Sequence, residues 1–410
     1  MSACRRPGRT RLSPGASAGL AALAGMACVV LGSTASAETR GYAISLIHTA
    51  TYADKGNCPR GGNGSTTEIH ERILMAQGLT KEQADTVLTS GGVFAAADDG
   101  DVKNADANKN DANTNKDTGD AAVARARRFD FDRRGHLYGQ VVDIGDFPTS
   151  VPDDHIETVE GAGTGHYAYG FNLAGKQTAY SFEDPETHEL IQDQMWRVLG
   201  CFTAYQYRLP GIPYNEGITW DTAEDSMPAW LLSISGDDLS HDGDVTVTFD
   251  RSLDVLMRNR HGGVLSGSSY TVDPDPRSHS QFKGHIKDHV LTIEPGNFSM
   301  QGESQFYALL RFTNTHLRLN LNDDGTLRGF IGGYQPWLDY FHYLAIRGQE
   351  DSEVDLPGVY YAMKRLADAV PDQNGQNTAI SATYYIEAVP VFTTDESGKV
   401  LSRAYEGNGR

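Results

Sequence analysis

The segment Asp238-Leu239-Ser240-His241-Asp242-Gly243-Asp244 places oxygen side chains at alternate positions and a glycine at the sixth. Short oxygen ligands converging around a sharp glycine turn form the first half of a calcium loop. Asp238, Ser240, Asp242 and Asp244 are therefore the candidate calcium ligands, with Asp237 adding charge. The twelfth position is Phe249 rather than a bidentate acid, and a strand rather than a helix is expected to follow, so the segment is no EF-hand. A strand-entry turn that binds nothing fits the same residues.

His279, His285 and His289 form the second cluster. Imidazole is the commonest transition-metal ligand. Their spacing matches no zinc signature, but strand alternation would put His285 and His289 on one face. Surface or core histidines are the competing reading. The third group is aromatic: Tyr334, Trp337 and Tyr340, within Gly332–Tyr343. Such rings could stack on a sugar or another flat ligand, or simply fill a core. The chain holds neither G-x-S-x-G nor H-E-x-x-H, and no glycine loop that would cradle phosphate before a helix.

Elements must position these groups. Ser65-Thr66-Thr67-Glu68 is a capping box, and Thr80 to Gln83 repeats it, so residues 65–90 read as two short helices. Asp184-Pro185-Glu186 opens a helix whose stripe is Leu190, Ile191, Met195, Val198 and Leu199. Leu356-Pro357 opens another, with Val359, Met363, Leu366 and Val370 at helical spacing. Strands are expected over Tyr42–Tyr52, 140–144, Trp230–Ser235, Asp244–Phe249, His289–Ile293, Tyr307–Leu321 and Asn377–Thr394. Leu317–Leu321 and Thr326–Ile331 alternate on either side of Asn322-Asp323-Asp324-Gly325, which reads as a hairpin. The sum is an α+β, β-rich protein: a largely antiparallel sheet or sandwich with a few packed helices.

The organisation reads as follows: a signal peptide over 1–37, a strand and two helices over 38–97, a low-complexity insertion over 98–122, a mixed part over 123–225 and a β-rich part over 226–410. The insertion holds too little apolar surface to offset ordering entropy. Arg125, Arg127, Arg128, Arg133 and Arg134 follow it as a basic patch. The first segment carries Arg5, Arg6, Arg9 and Arg11, then an apolar run to Leu31, then Ala35-Ser36-Ala37. That is the order of a secretory signal, and no later run is long enough for a transmembrane anchor. A periplasmic or extracellular protein follows from this reading.

The whole chain has a formal net charge of −19. An acidic surface repels phosphate backbones, which argues against nucleic acid as a partner. Cys58 and Cys201 are the two cysteines beyond residue 37, and in an oxidising compartment they are expected to pair. The functional expectation is a non-enzymatic binding or structural module stabilised by calcium, with a carbohydrate or protein partner. The alternatives are a hydrolase or metal-dependent enzyme built on His279, His285 and His289, and an envelope accessory protein that docks a partner.

Overall fold

The structure, a computed structural model, describes residues 38–405 apart from 53, 55, 77, 90–129, 132–136, 139–148, 150–151, 162–164, 177, 179–180, 207–226, 304–305 and 347–353. The segment expected to be a signal peptide, the low-complexity insertion, the arginine patch and the strand expected over 140–144 lie outside the described residues.

Eight antiparallel strands close into a barrel. In chain order they are β1 (Glu38–Thr49), β2 (Pro228–Gly236), β3 (Gly243–Val255), β4 (His279–Lys287), β5 (Val290–Ile293), β6 (Phe306–Leu321), β7 (Leu327–Pro336) and β8 (Asn377–Thr394). Each pairs with the next. The circle closes through β1, whose residues Glu38–Ala43 pair with β2 while Gly41–Thr49 pair with β8. This corrects the sandwich: the sheet curls back on itself instead of stacking on a second sheet, and closure removes both edges.

Alternation explains which residues fill the barrel. In β3, Val245, Val247 and Phe249 are buried while Asp244 is exposed. Register carries that inward face to Leu232 and Ile234 of β2 and to Phe282 and Ile286 of β4. It continues through Leu291, Leu319, Ile331 and Ile386. In β6 the alternation would fail, since Leu310 and Phe312 are even-numbered and Leu317 and Leu319 odd. A register shift between Thr313 and His316, with Asn314 at φ 51°, adds the extra residue that keeps both pairs buried. Phe249 meets Phe282 and Phe298 edge-on, and Phe298 stacks on Phe312. An eight-stranded barrel is just wide enough for side chains to fill, and these do.

The β6–β7 hairpin forms where expected, one residue longer in the turn: Leu321 stands opposite Leu327, Thr326 joins the turn, and Gly325 takes φ 80°. Both capping boxes form: Glu68 accepts from the Ser65 N–H at the head of α1 (Thr66–Ala76), and Gln83 accepts from the Thr80 N–H at α2 (Lys81–Thr89). The helix expected from Asp184 is corrected. Asp184 caps a turn by accepting from the Glu186 and Thr187 N–H groups, and His188 then leaves the helical region at φ 59°. Leu190–Ile191 pair with Phe182–Glu183 instead. The helix α3 (Gln194–Leu199) starts where Asp193 accepts from the Trp196 N–H. Outside the barrel lie α4 (Trp337–Ile346) and α5 (Leu356–Leu366). Val370 falls beyond α5, at φ 56° in a short strand along β8.

Cys58 and Cys201 form a disulfide. Beside it, Asn63 donates its backbone N–H to the Cys201 carbonyl, and buried Glu157 accepts from the Arg60 and Gly62 N–H groups, each at 2.6 Å.

Candidate functional site

The outer face of β6, β7, β8 and β1 carries a close group of aromatic and charged side chains outside the barrel. Residues with the parity opposite to the core point outward here: His316 and Arg318 on β6, Phe330 and Tyr334 on β7, Tyr385 and Glu387 on β8, His48 on β1. The segment 165–175 lies over them. Its Tyr167, Tyr169 and Phe171 alternate like a strand, and Tyr167 and Phe171 make single bridges to Glu183 and Gln192. Gly332 lets this segment approach closely, since a Cβ there would come within 2.7 Å of the Ala382 carbonyl and 3.1 Å of the Phe171 ring.

Tyr169 stacks on Phe330 at 4.7 Å, with the rings only 18° apart. Tyr52 leans on both Tyr167 and Tyr169, at 5.5 and 5.8 Å. Tyr385 meets Phe330 edge-on and donates its hydroxyl to Glu387 at 2.7 Å. Phe171 and Phe330 are buried, whereas Tyr52, Tyr167, Tyr169, Tyr334 and Tyr385 stay partly exposed. The patch thus has an apolar floor and a rim of tyrosines.

Arg318 anchors it electrostatically. Its guanidinium lies 5.4 Å from the Phe330 ring centre and 5.9 Å from that of Phe171. It pairs with Asp184 at 3.1 Å and Glu186 at 3.3 Å. Asp184 is fully buried and also accepts from the Gly170 N–H, so this one carboxylate ties the covering segment to the barrel. Burial, with Glu186 adding to it, pushes the Tyr169 hydroxyl up to about 12. Tyr385 is raised by burial and by Glu387, so both phenols remain proton donors across the neutral range. Beneath Tyr385, buried His48 donates from Nδ1 to the Thr49 carbonyl, and burial lowers its pKa to about 4.

Of the aromatic residues singled out in the sequence, Tyr334 joins this patch, packed against the Phe171–Phe330 cluster. Trp337 and Tyr340 sit on α4 and are buried, Trp337 against Tyr360 and Tyr340 beside Tyr343. Sequence reasoning passed over Tyr52, Tyr167, Tyr169, Arg318 and Tyr385. The one local signal for them is the aromatic alternation of Tyr167, Tyr169 and Phe171.

The acidic turn joins β2 to β3. Asp238 accepts from the Ser240 N–H at 2.8 Å and pairs with His241 at 2.7 Å, and these bonds hold its carboxyl below the usual range. Asp242 accepts from the Asp288 N–H, while Asp244 faces His285 across the strands at 2.8 Å. Ser240 accepts from Arg40 at 3.2 Å. These four side chains therefore engage different partners. His279 pairs with Asp250 at 2.7 Å on the same outer face of β3 and β4 as the His285–Asp244 pair, six positions along. His289 lies in the β4–β5 turn at φ 63°, off that face. Among the described residues, no three His, Cys, Asp or Glu side chains come together as a metal-holding group. No helix among them is long and apolar enough to cross a membrane.

No protein-family model, curated protein or solved structure matches the chain.

Proposed function

We propose that this is an exported, non-catalytic binding module that holds a carbohydrate on the tyrosine face outside its barrel. The observation that carries the reading is the rim of partly exposed tyrosines over the stacked Tyr169–Phe330 pair, with Arg318, Glu186 and Glu387 at its edges. Sugar rings offer apolar C–H faces for aromatic stacking, and hydroxyls that pair with carboxylates and phenols. A floor of two buried rings fixed by a buried ion pair needs little reorganisation on binding, which limits the entropic cost of capture. The disulfide supports an oxidising destination.

Affinity electrophoresis against a panel of soluble neutral and acidic polysaccharides, followed by calorimetry with the best oligosaccharide, tests this. Tyr169→Ala and Tyr385→Ala should each weaken binding by about fivefold, since stacking on one aromatic face contributes on the order of 1 kcal/mol. Retention by no polysaccharide, or retention unchanged in both variants, removes the proposal.

A further inference from the structure

The opposite outer surfaces do not exhaust the molecule, because one mouth of the barrel holds a separate polar cavity. The cavity measures about 110 Å³. A water needs roughly 10–15 Å³ of such space, so there is room for a small solute and not merely one solvent molecule. Four separate stretches converge on it: β1, the β2–β3 turn, the β4–β5 turn and the β6–β7 turn, with Tyr405 closing one side.

Arg40 is the informative residue. It stands opposite Ile234 in the β1–β2 register, on the inward face and two positions before Tyr42. A cation at an inward position of a largely apolar barrel is unusual and must be held by partners. Arg40 has them: Nε donates to Glu38 at 2.7 Å, Nη2 donates to Ser240 at 3.2 Å, and the guanidinium lies 4.8 Å from the Tyr405 ring centre. Tyr42 lies beside it, and burial raises that hydroxyl to about 12 and so keeps it protonated. A guanidinium carries five N–H donors. Glu38 and Ser240 take two of them. The side chain is only 12 % exposed, so its orientation is fixed. Ser240, His289 and Asp323, from three different turns, face the same space, so the cavity holds one acid beside the cation.

We propose that this mouth binds a small oxyanion, a carboxylate or a phosphate, with Arg40 as the anchoring cation. The planar fork suits two parallel hydrogen bonds to such a group, and the low-exposure setting strengthens each. Glu38 occupies only the Nε edge and is itself 42 % exposed, so it orients the fork without filling the cavity. The mouths of β-barrels are a usual place for ligand sites.

Calorimetric titration of the full chain with sodium phosphate and with sodium acetate, at fixed ionic strength in a cationic buffer, reads this out. Saturable binding of phosphate alone identifies the phosphate class, and of acetate alone the carboxylate class. Arg40→Gln should weaken either by about tenfold or more, while Arg328→Gln, an exposed arginine outside the mouth, should leave it unchanged. Should Arg40→Gln fail to fold by circular dichroism, the pair Ser240→Ala and His289→Asn, both on exposed turns, decides: weaker binding supports the site and unchanged binding overturns it. Absence of saturable binding to both anions, or unchanged binding by folded Arg40→Gln, overturns it as well.

Discussion

Replacing both half-cystines, as Cys58→Ser with Cys201→Ser, isolates the contribution of the cross-link. The bridge joins positions 143 residues apart, and Cys201 is fully buried. In the chain-entropy treatment a loop of that length removes about 5 kcal/mol of freedom from the unfolded chain. Folded-state contacts around the bridge do not depend on it. Glu157 still accepts from Arg60 and Gly62, Asn63 still donates to the Cys201 carbonyl, and Asn63 and Glu157 exchange two further bonds. The variant should therefore fold and bind as the wild type does, yet be less stable by about 3–5 kcal/mol. Guanidinium denaturation followed by far-ultraviolet circular dichroism measures this. The slope m should rise, because an unbridged chain exposes more surface when unfolded. A loss below about 1 kcal/mol with an unchanged slope would refute the entropic account.

Two pH effects of opposite sign should appear. His48 and His70 are buried, and burial lowers each to about 4 from 6.5. The folded state binds fewer protons than the unfolded one, so this stability is complete above pH 6.5 and is lost as pH falls from there towards 4. The loss is about 3 kcal/mol for each histidine, read from denaturant midpoints at pH 7 and pH 4. Asp355 caps α5, is fully buried, and is raised by burial and by the charge of the neighbouring Asp154. Its protonated form is the one the fold prefers, so its contribution declines as pH rises above the ordinary aspartate value near 4. Asp355→Asn retains the cap and mimics the neutral acid. The variant should gain on the wild type as pH rises above about 4, and a difference that stays constant with pH would contradict the assignment.

Local features were legible where a short pattern carries its own geometry. The Asp324-Gly325 turn with flanking alternation located the β6–β7 hairpin to within one residue, Thr326 falling in the turn, and Ser65 to Glu68 and Thr80 to Gln83 marked both helix starts. The start of α3 was misplaced because Asp184 and Asp193 are both competent caps. His188 and the pairing of Leu190–Ile191 decide between them, and that pairing depends on Phe182–Glu183. Closure of the barrel was illegible because no local signal says that Gly41 will meet Val391. The tyrosine face was missed for the same reason: Tyr52, Tyr169, Arg318 and Tyr385 come from four distant stretches, whereas Trp337 and Tyr340 stood out in the sequence and turned inward.

The closure of β1 against β8 also sets a timetable. β1 is the first strand of the barrel to leave the ribosome, and its partner along Gly41–Thr49 is the last. At roughly 5–20 residues per second, tens of seconds separate the two. During that interval an apolar strand with two unpaired edges must be kept from joining a neighbour, and the nascent sheet has no way to seal itself. A chain of this topology is best kept unfolded until all eight strands are available, so that β1 and β8 meet before either meets another molecule.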